Sequence, residues 1–188
     1  MKQACRLLKS NWDIHHSSLG PIRYAYDGDV ICELAFLQTA SMRVDTPQST
    51  RGVQKPHGGI EESLDNYFAG DPRGVQTWPV DFRGTEFQVE VWKSLREIPP
   101  GQTMTYGQMA CLVGHPKAAR AIGMAMRANR IPLFIPCHRI IAAGGRIGGF
   151  SPGIALKRQL LTIEGAWNNP QQTELDFGKI ADDPSPHV

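Results

Sequence analysis

The sequence predicts an α+β protein of two modules: a small N-terminal α/β unit around an antiparallel sheet, and a mainly helical, winged-helix-like C-terminal unit. Three observations carry that expectation. β-Forming runs flank a turn near residue 28, two capping boxes head apolar stripes after residue 84, and a short helix, a Gly turn and a longer helix follow in series. At 188 residues the chain is long enough to bury a core without disulfides or metals.

The hairpin is Ile22–Tyr26 and Val30–Phe36 around Asp27-Gly28-Asp29. Residues 37–58 carry Pro47, Gly52, Pro56 and Gly58 and read as a loop. Ile60, Leu64, Tyr67 and Phe68 recur at helical spacing, and Gly70, Pro72 and Gly74 then break the chain. The expected domains are therefore 1–78, with a linker from about residue 70, and 79–165; residues 166–188 are expected to be a disordered acidic tail. Thr85-Glu-Phe-Gln88 caps a helix with Phe87, Val91, Trp92 and Leu95 on one face, and Pro99-Pro100-Gly101 ends it. Thr105-Tyr-Gly-Gln108 caps a second helix, with Tyr106, Met109, Ala110 and Val113 on one face and Cys111 expected in the core. Gly114 turns the chain, and Pro116 opens a third helix through Arg127. Residues 140–143 and 146–150 around Gly144–Gly145 predict a second hairpin, a wing. Ile154–Ile163 reads as a last helix, stopped by Gly165.

Charge separates along the chain. Residues 1–80 hold 8 basic and 9 acidic side chains, residues 81–165 hold 11 and 5, and residues 166–188 hold 1 and 4. A basic middle module suits a phosphate-bearing partner; clustering on a solvated face is the plainer alternative. The third helix has unusual composition, with Ala118, Ala119, Ala121 and Gly123 leaving a face of little bulk between Arg120 and Arg127. Small residues suit tight helix packing, or close approach of the backbone to nucleic acid held by phosphate contacts.

The four cysteines, Cys5, Cys32, Cys111 and Cys137, contain no Cys-x-x-Cys pair and are expected as free thiols in a reducing compartment. Pro136-Cys137-His138-Arg139 places a thiol, an imidazole and a guanidinium side by side. A nearby base or positive charge supplies the thiolate that attacks electrophiles. Taken alone, the pair reads more readily as a buried structural thiol beside a satisfied histidine. Cys5, Cys32, His15, His16 and His57 match no four-ligand zinc spacing, so no metal is expected. No Gly-x-Gly-x-x-Gly or Walker pattern is present, so no cofactor is expected. No apolar run approaches the ~18 residues of a membrane span, and the first residues do not resemble a signal peptide. A cytoplasmic protein with no membrane partner is expected.

Ile135-Pro-Cys-His-Arg-Ile-Ile141 resembles the active-site motif of the O6-alkylguanine-DNA alkyltransferases. Thr85–Trp92, Thr105–Ala110, Ala118–Gly123 and Leu160–Gly165 fall in that family's order, so the likeness spans Pro79 to Gly165, nearly half the chain. Gly20-Pro21 and Tyr67-Phe-Ala-Gly70 extend it more loosely into the N-terminal part, for which the resemblance implies a ribonuclease-H-like fold. It implies direct-reversal DNA repair: Cys137 takes the alkyl group from guanine O6, and from thymine O4, in double-stranded DNA, once per molecule, without a cofactor and as a monomer. In that scheme His138 accepts the thiol proton through a water and Glu164 holds His138. Tyr106 serves the leaving base, and Asn129 ties the helical pair to the active-site loop. Arg120 fills the gap left by the flipped nucleotide, and the helix bearing Ala118, Ala119, Ala121, Gly123 and Arg127 lies in the minor groove. Pro136, Ile140, Phe150 and Ser151 form the pocket. Phe150 stands where the family often has Tyr, which keeps an aromatic wall and loses a hydroxyl. Two other readings remain: a damage-recognition relative that binds without transfer, which in such relatives goes with loss of the reactive cysteine, and a winged-helix regulator.

Overall fold

The computed structural model describes residues 11–37 and 59–167. The segment 38–58, the acidic tail from 168 on, Cys5 and His57 lie outside the described residues. The chain is a mixed α/β protein with a small antiparallel sheet and a set of helices.

The sheet has the order β1 (Asn11–Ser17), β2 (Gly20–Asp27), β3 (Val30–Phe36), all antiparallel neighbours. The hairpin turn falls where the sequence places it, with Gly28 at φ 58, a conformation that costs glycine nothing. β1 is an addition that the sequence reading did not include. Its residues alternate only weakly, because apart from His15 they are half-buried or exposed, and a period-two pattern needs one buried face to be legible. Cys32 on β3 is disulfide-bonded, and Cys111 and Cys137 are free. That departs from four free thiols, because pairing depends on which segments meet in space and not on spacing along the chain.

Helix α1 (Ile60–Phe68) buries Ile60, Leu64 and Tyr67. Its first-turn Glu61 reaches back to the sheet, 2.9 Å from His15 Nδ1, and also accepts the Tyr24 hydroxyl. The segment after α1, expected as a linker, is docked. Val75 is buried in a short 3-10 turn (Val75–Thr77). Gln76 Nε2 donates to the carbonyls of Arg96 and Ile98, and Ile31 N–H donates to Pro79 O at 2.9 Å. One hydrophobic core runs from Ile22 and Tyr24 through Tyr67 to Leu95, Phe134 and Leu160. Both halves of the chain thus share a single interior.

Both capping boxes form as the sequence predicts, heading α2 (Glu86–Arg96) and α3 (Tyr106–Leu112). Val91, Trp92, Leu95, Met109 and Ala110 are buried behind them. Cys111 is exposed rather than in the core, because it sits one residue beyond the α3 stripe. Trp92 Nε1 donates to Ala125 O at 2.9 Å and so fixes α2 across α4 (Ala119–Arg127). The third helix begins at Ala119, with Pro116 and Lys117 in the preceding turn.

The expected wing hairpin is not formed. Ile140–Ile141 (β5) pairs parallel with Met104–Thr105 (β4), and residues 142–149 make a Gly-rich turn joined by Ala142 N–H to Arg146 O at 2.8 Å. A parallel partner 36 residues earlier in the chain leaves no trace in local sequence pattern. Helix α5 (Ile154–Ile163) ends in a Schellman motif. Gly165 adopts φ 76 and donates to Thr162 O, and Ala166 donates to Leu161 O. Glu164 is its cap. Trp167 is buried against Ile141 and Leu161, so the packed body extends to that residue.

Gly84 sets the close approach at the start of α2. A Cβ there would lie 2.6 Å from Gln88 Oε1 and 2.7 Å from the Trp92 ring. Gly84→Ala is expected to destabilise the protein by about 1–3 kcal/mol, the usual cost of overpacking, measured by urea unfolding.

Candidate active site

Two pieces of backbone converge on Cys137. The β4–β5 pairing brings the start of α3, with Tyr106, beside a 3-10 turn, Cys137–Arg139. The preceding loop is held by Asn129, whose Oδ1 accepts from Ile131 N–H at 2.9 Å and whose Nδ2 donates to Ile135 O at 2.9 Å. One side chain thereby clamps both ends of a fully buried loop. Within it Leu133 takes φ 79, a left-handed conformation that costs a non-glycine residue about 1–2 kcal/mol. Its fully buried side chain offsets that cost.

The same Asn129 Nδ2 donates to Cys137 Sγ at 3.1 Å. Cys137 is only 6% exposed. Burial pushes its thiol up to about 11; the Asn129 hydrogen bond and the Lys157 charge pull the other way without winning. At neutral pH the sulfur therefore carries its proton, and attack on an electrophile needs a base.

The candidate base is next in sequence. His138 is fully buried, and burial lowers its imidazole below the ordinary value against the pull of Glu164. It is neutral at pH 7. Its Nε2 lies 2.8 Å from Glu164 Oε1. Burial would raise the Glu164 carboxyl, but His138 and Arg139 together bring it down to about 2. An ionised carboxylate only accepts, so Nε2 carries the hydrogen and Nδ1 keeps the lone pair. Nδ1 is buried and has no protein partner.

Three residues complete the site that the sequence reading left without a role. Arg139 is buried and grips Glu164 through Nε and Nη2, each at 2.7 Å, while Nη1 donates to Ile98 O at 2.6 Å. Tyr67, from α1, donates its hydroxyl to Glu164 Oε1 at 2.8 Å. Lys157, from α5, is 0% exposed and donates to the carbonyls of Ile140 and Gly149. Burial lowers its ammonium to about 8, against the pull of Cys137. A lysine inside an apolar helix stripe was the available signal; the other two declare themselves only through their contacts.

A groove of about 540 Å³ opens onto Cys137. Beside Cys137 it brings together six further candidate residues: Tyr106, Arg120, Gly123, Arg127, Phe150 and Ser151. Tyr106 is half-buried, and burial raises its hydroxyl; the facing Cys137 adds to that and a Gly149 backbone hydrogen bond opposes it. Gly148, at φ 69, lets the following loop close over the Tyr106 ring, because a Cβ there would lie 3.3 Å from it. Phe150 meets the His138 ring edge to face, centroids 6.3 Å apart. Pro136 and Ile140 are buried at either end of the catalytic turn and do not line the groove. Ala118, Ala119 and Ala121 are half-buried at the start of α4 and lie outside it. The outward face of α4 is less bare than its composition suggests, because Met124, 72% exposed, stands between Arg120 and Arg127. Among the described residues no group of three or more His, Cys, Asp or Glu side chains could hold a metal ion. Among them, too, no helix is long and apolar enough to cross a membrane.

Residues 86–166 match the family model described as the 6-O-methylguanine DNA methyltransferase DNA-binding domain. The chain is 37% identical over 155 residues to the methylated-DNA–protein-cysteine methyltransferase of Methanosarcina acetivorans, covering 81% of this chain and 97% of that one. It is 39% identical over 150 residues to the protein of the same description from Mycobacterium tuberculosis, covering 79% and 88%. The crystal structure of Mycobacterium tuberculosis OGT in complex with DNA superposes with a TM-score of 0.67 at 37% identity, covering 81% of this chain and 92% of that one. With Cys137 standing in the matched region, backed by His138 and Glu164, the chain belongs to the methylated-DNA–protein-cysteine methyltransferase family.

Proposed function

We propose that the protein repairs DNA by direct reversal, moving an alkyl group from guanine O6 to its own Cys137. The observation that carries this is a free, buried thiol at the floor of a groove beside the exposed face of α4, backed by His138 and Glu164. The alkylated nucleotide leaves the duplex and enters the groove, since O6 inside the stack is out of reach of the sulfur. Cys137 sits against the base, Ser151 lies near O6, and Phe150 walls the pocket. His138 Nδ1 takes the thiol proton through one water. Sulfur forms a bond to the alkyl carbon, the carbon–O6 bond breaks, and its electron pair stays on the guanine, where Tyr106 supplies a hydrogen bond or proton. The product is a thioether with no second nucleophile to release it, so each molecule reacts once. Thymine O4 offers the same chemistry.

On the DNA side, α3 and α4 act as a helix-turn-helix. Ala118, Ala119, Ala121 and Gly123 approach the minor groove, Arg127 reaches phosphate, and Arg120 fills the vacated stack. The parts read as a ribonuclease-H-like module over 1–78 and a helix-turn-helix module over 79–165, whose described residues share one core. The sheet order β1-β2-β3 with α1 supports the first, and the α3–turn–α4 unit supports the second. One protein reacting with one lesion needs no second copy, so the active species is a monomer.

Intact mass after mixing with equimolar duplex carrying one O6-methylguanine tests the function. The expected result is one CH2 gained on the Cys137 peptide, without added cofactor, stopping at one event. Cys137→Ala should keep lesion binding and lose transfer, and transfer to Cys111 in that variant would overturn the assignment. Arg120→Ala should slow repair in duplex more than reaction with a free O6-alkylguanine base; equal losses would remove Arg120 from the flipping step. The thiol should also react slowly with iodoacetamide at pH 7, its rate climbing toward about 11. Lys157→Met, removing the cation that faces the sulfur below about pH 8, should lower that rate at pH 7 by about three- to tenfold, a shift of half to one pH unit. Cys111 serves as the exposed reference in the same digest.

A further inference from the structure

We propose that Tyr67 is a positioning residue of the alkyl-transfer site, its hydroxyl setting how strongly Glu164 draws on His138. This rests on the alkyl-transfer reading above. Three donors converge on one oxygen, Glu164 Oε1: His138 Nε2 at 2.8 Å, Arg139 Nη2 at 2.7 Å and Tyr67 OH at 2.8 Å. A carboxylate oxygen offers two lone pairs, so the three share, and a stronger bond from one weakens the others. Arg139 is fixed by its second bond to Oε2 and by Ile98 O. Tyr67 and His138 are the pair left to compete.

Tyr67 suits that role. It is fully buried, and burial followed by the Glu164 charge holds its hydroxyl well above the ordinary value, so it stays a neutral donor at all working pH. It stabilises the carboxylate without adding positive charge next to the imidazole. Its placement comes from the far end of the chain. Glu61, in the first turn of α1, is held by His15 of β1 and Tyr24 of β2. The N-terminal sheet therefore reaches His138 through α1, Tyr67 and Glu164.

The sign follows. The charged or titratable groups facing His138 are Glu164 at the end of α5, Arg139 on its own turn and Lys157 within α5. Removing the Tyr67 hydroxyl leaves these in place and frees a lone pair on Glu164. The carboxylate then binds the Nε2 hydrogen more tightly and stabilises the imidazolium. His138 stays protonated to higher pH, and the base form needed for transfer is lost from the acid side first.

The test is Tyr67→Phe, which keeps the ring and its packing. Single-turnover transfer to full-length protein would be followed from pH 5 to 9. DNA affinity and urea stability would be measured alongside, with the His138 ring titrated by nitrogen NMR. The expected result is an acid limb moved up by about half a unit or more, a rate about threefold lower on that limb, unchanged DNA affinity, and a matching rise in the His138 titration. A rate unchanged by Tyr67→Phe, or lowered equally at every pH with an unmoved His138 titration, would overturn the proposal. Failure of the wild-type protein to transfer at all would instead overturn the alkyl-transfer reading, and the NMR titration would still decide the Tyr67 link.

Discussion

A buried carboxylate is tolerated only when its lone pairs are filled, and Glu164 is the group around which this molecule is arranged. Arg139 holds both its oxygens, and His138 and Tyr67 complete the set. These donors come from α1 and from the catalytic turn, while the carboxylate itself caps α5. Elements distant in sequence are thus tied to one point. Removing Arg139 would leave the carboxylate without its cation in an apolar surrounding, which costs far more than an exposed ion pair is worth. The Schellman stop at Gly165 belongs to the same constraint, since it ends α5 with Glu164 turned toward the turn that bears His138.

The arrangement keeps the nucleophile latent. A thiol spent in one reaction is poorly served by standing as an exposed thiolate open to any electrophile. Here burial raises Cys137, and the groups that favour the thiolate, Asn129 and Lys157, only moderate that rise. In the proposed transfer the proton leaves only when an electrophile is held against the sulfur and a neutral His138 is in reach. Lys157 adds a structural share by holding the carbonyls of Ile140 and Gly149, so the exit of the catalytic turn and the loop before Phe150 stay together.

The groove follows from the backbone more than from its lining side chains. The short parallel pairing of β4 with β5 sets Tyr106 beside Cys137, and Trp92 holds α4 at the rim through Ala125 O. Arg120, Met124 and Arg127 then face outward from one helix surface while Ile122, Ala125 and Met126 enter the core. A minor-groove reader commonly combines cationic side chains with an apolar wedge, and this surface carries both kinds.

Local chemistry was enough for much of this. The capping boxes at Thr85 and Thr105, the Gly28 turn, the Gly165 stop and the apolar stripes of α1, α2 and α5 are read correctly from short windows, because each depends on neighbours within a turn or two. The Cys137–His138–Glu164 set was legible only through the resemblance to a known family, since the Cys-His pair taken alone reads as a structural thiol beside a satisfied histidine. What local pattern could not decide was everything that depends on distant segments meeting. β1 is too evenly half-buried to show a period. The expected wing gave way to a parallel pairing, and Cys32 entered a disulfide. Cys111 turned outward, and residues 70–82 docked rather than linked. Tyr67, Arg139 and Lys157 looked like an ordinary core aromatic and two ordinary cations. Their part in the site exists only because tertiary packing carries them into a space too dry to leave any charge or hydroxyl without a partner.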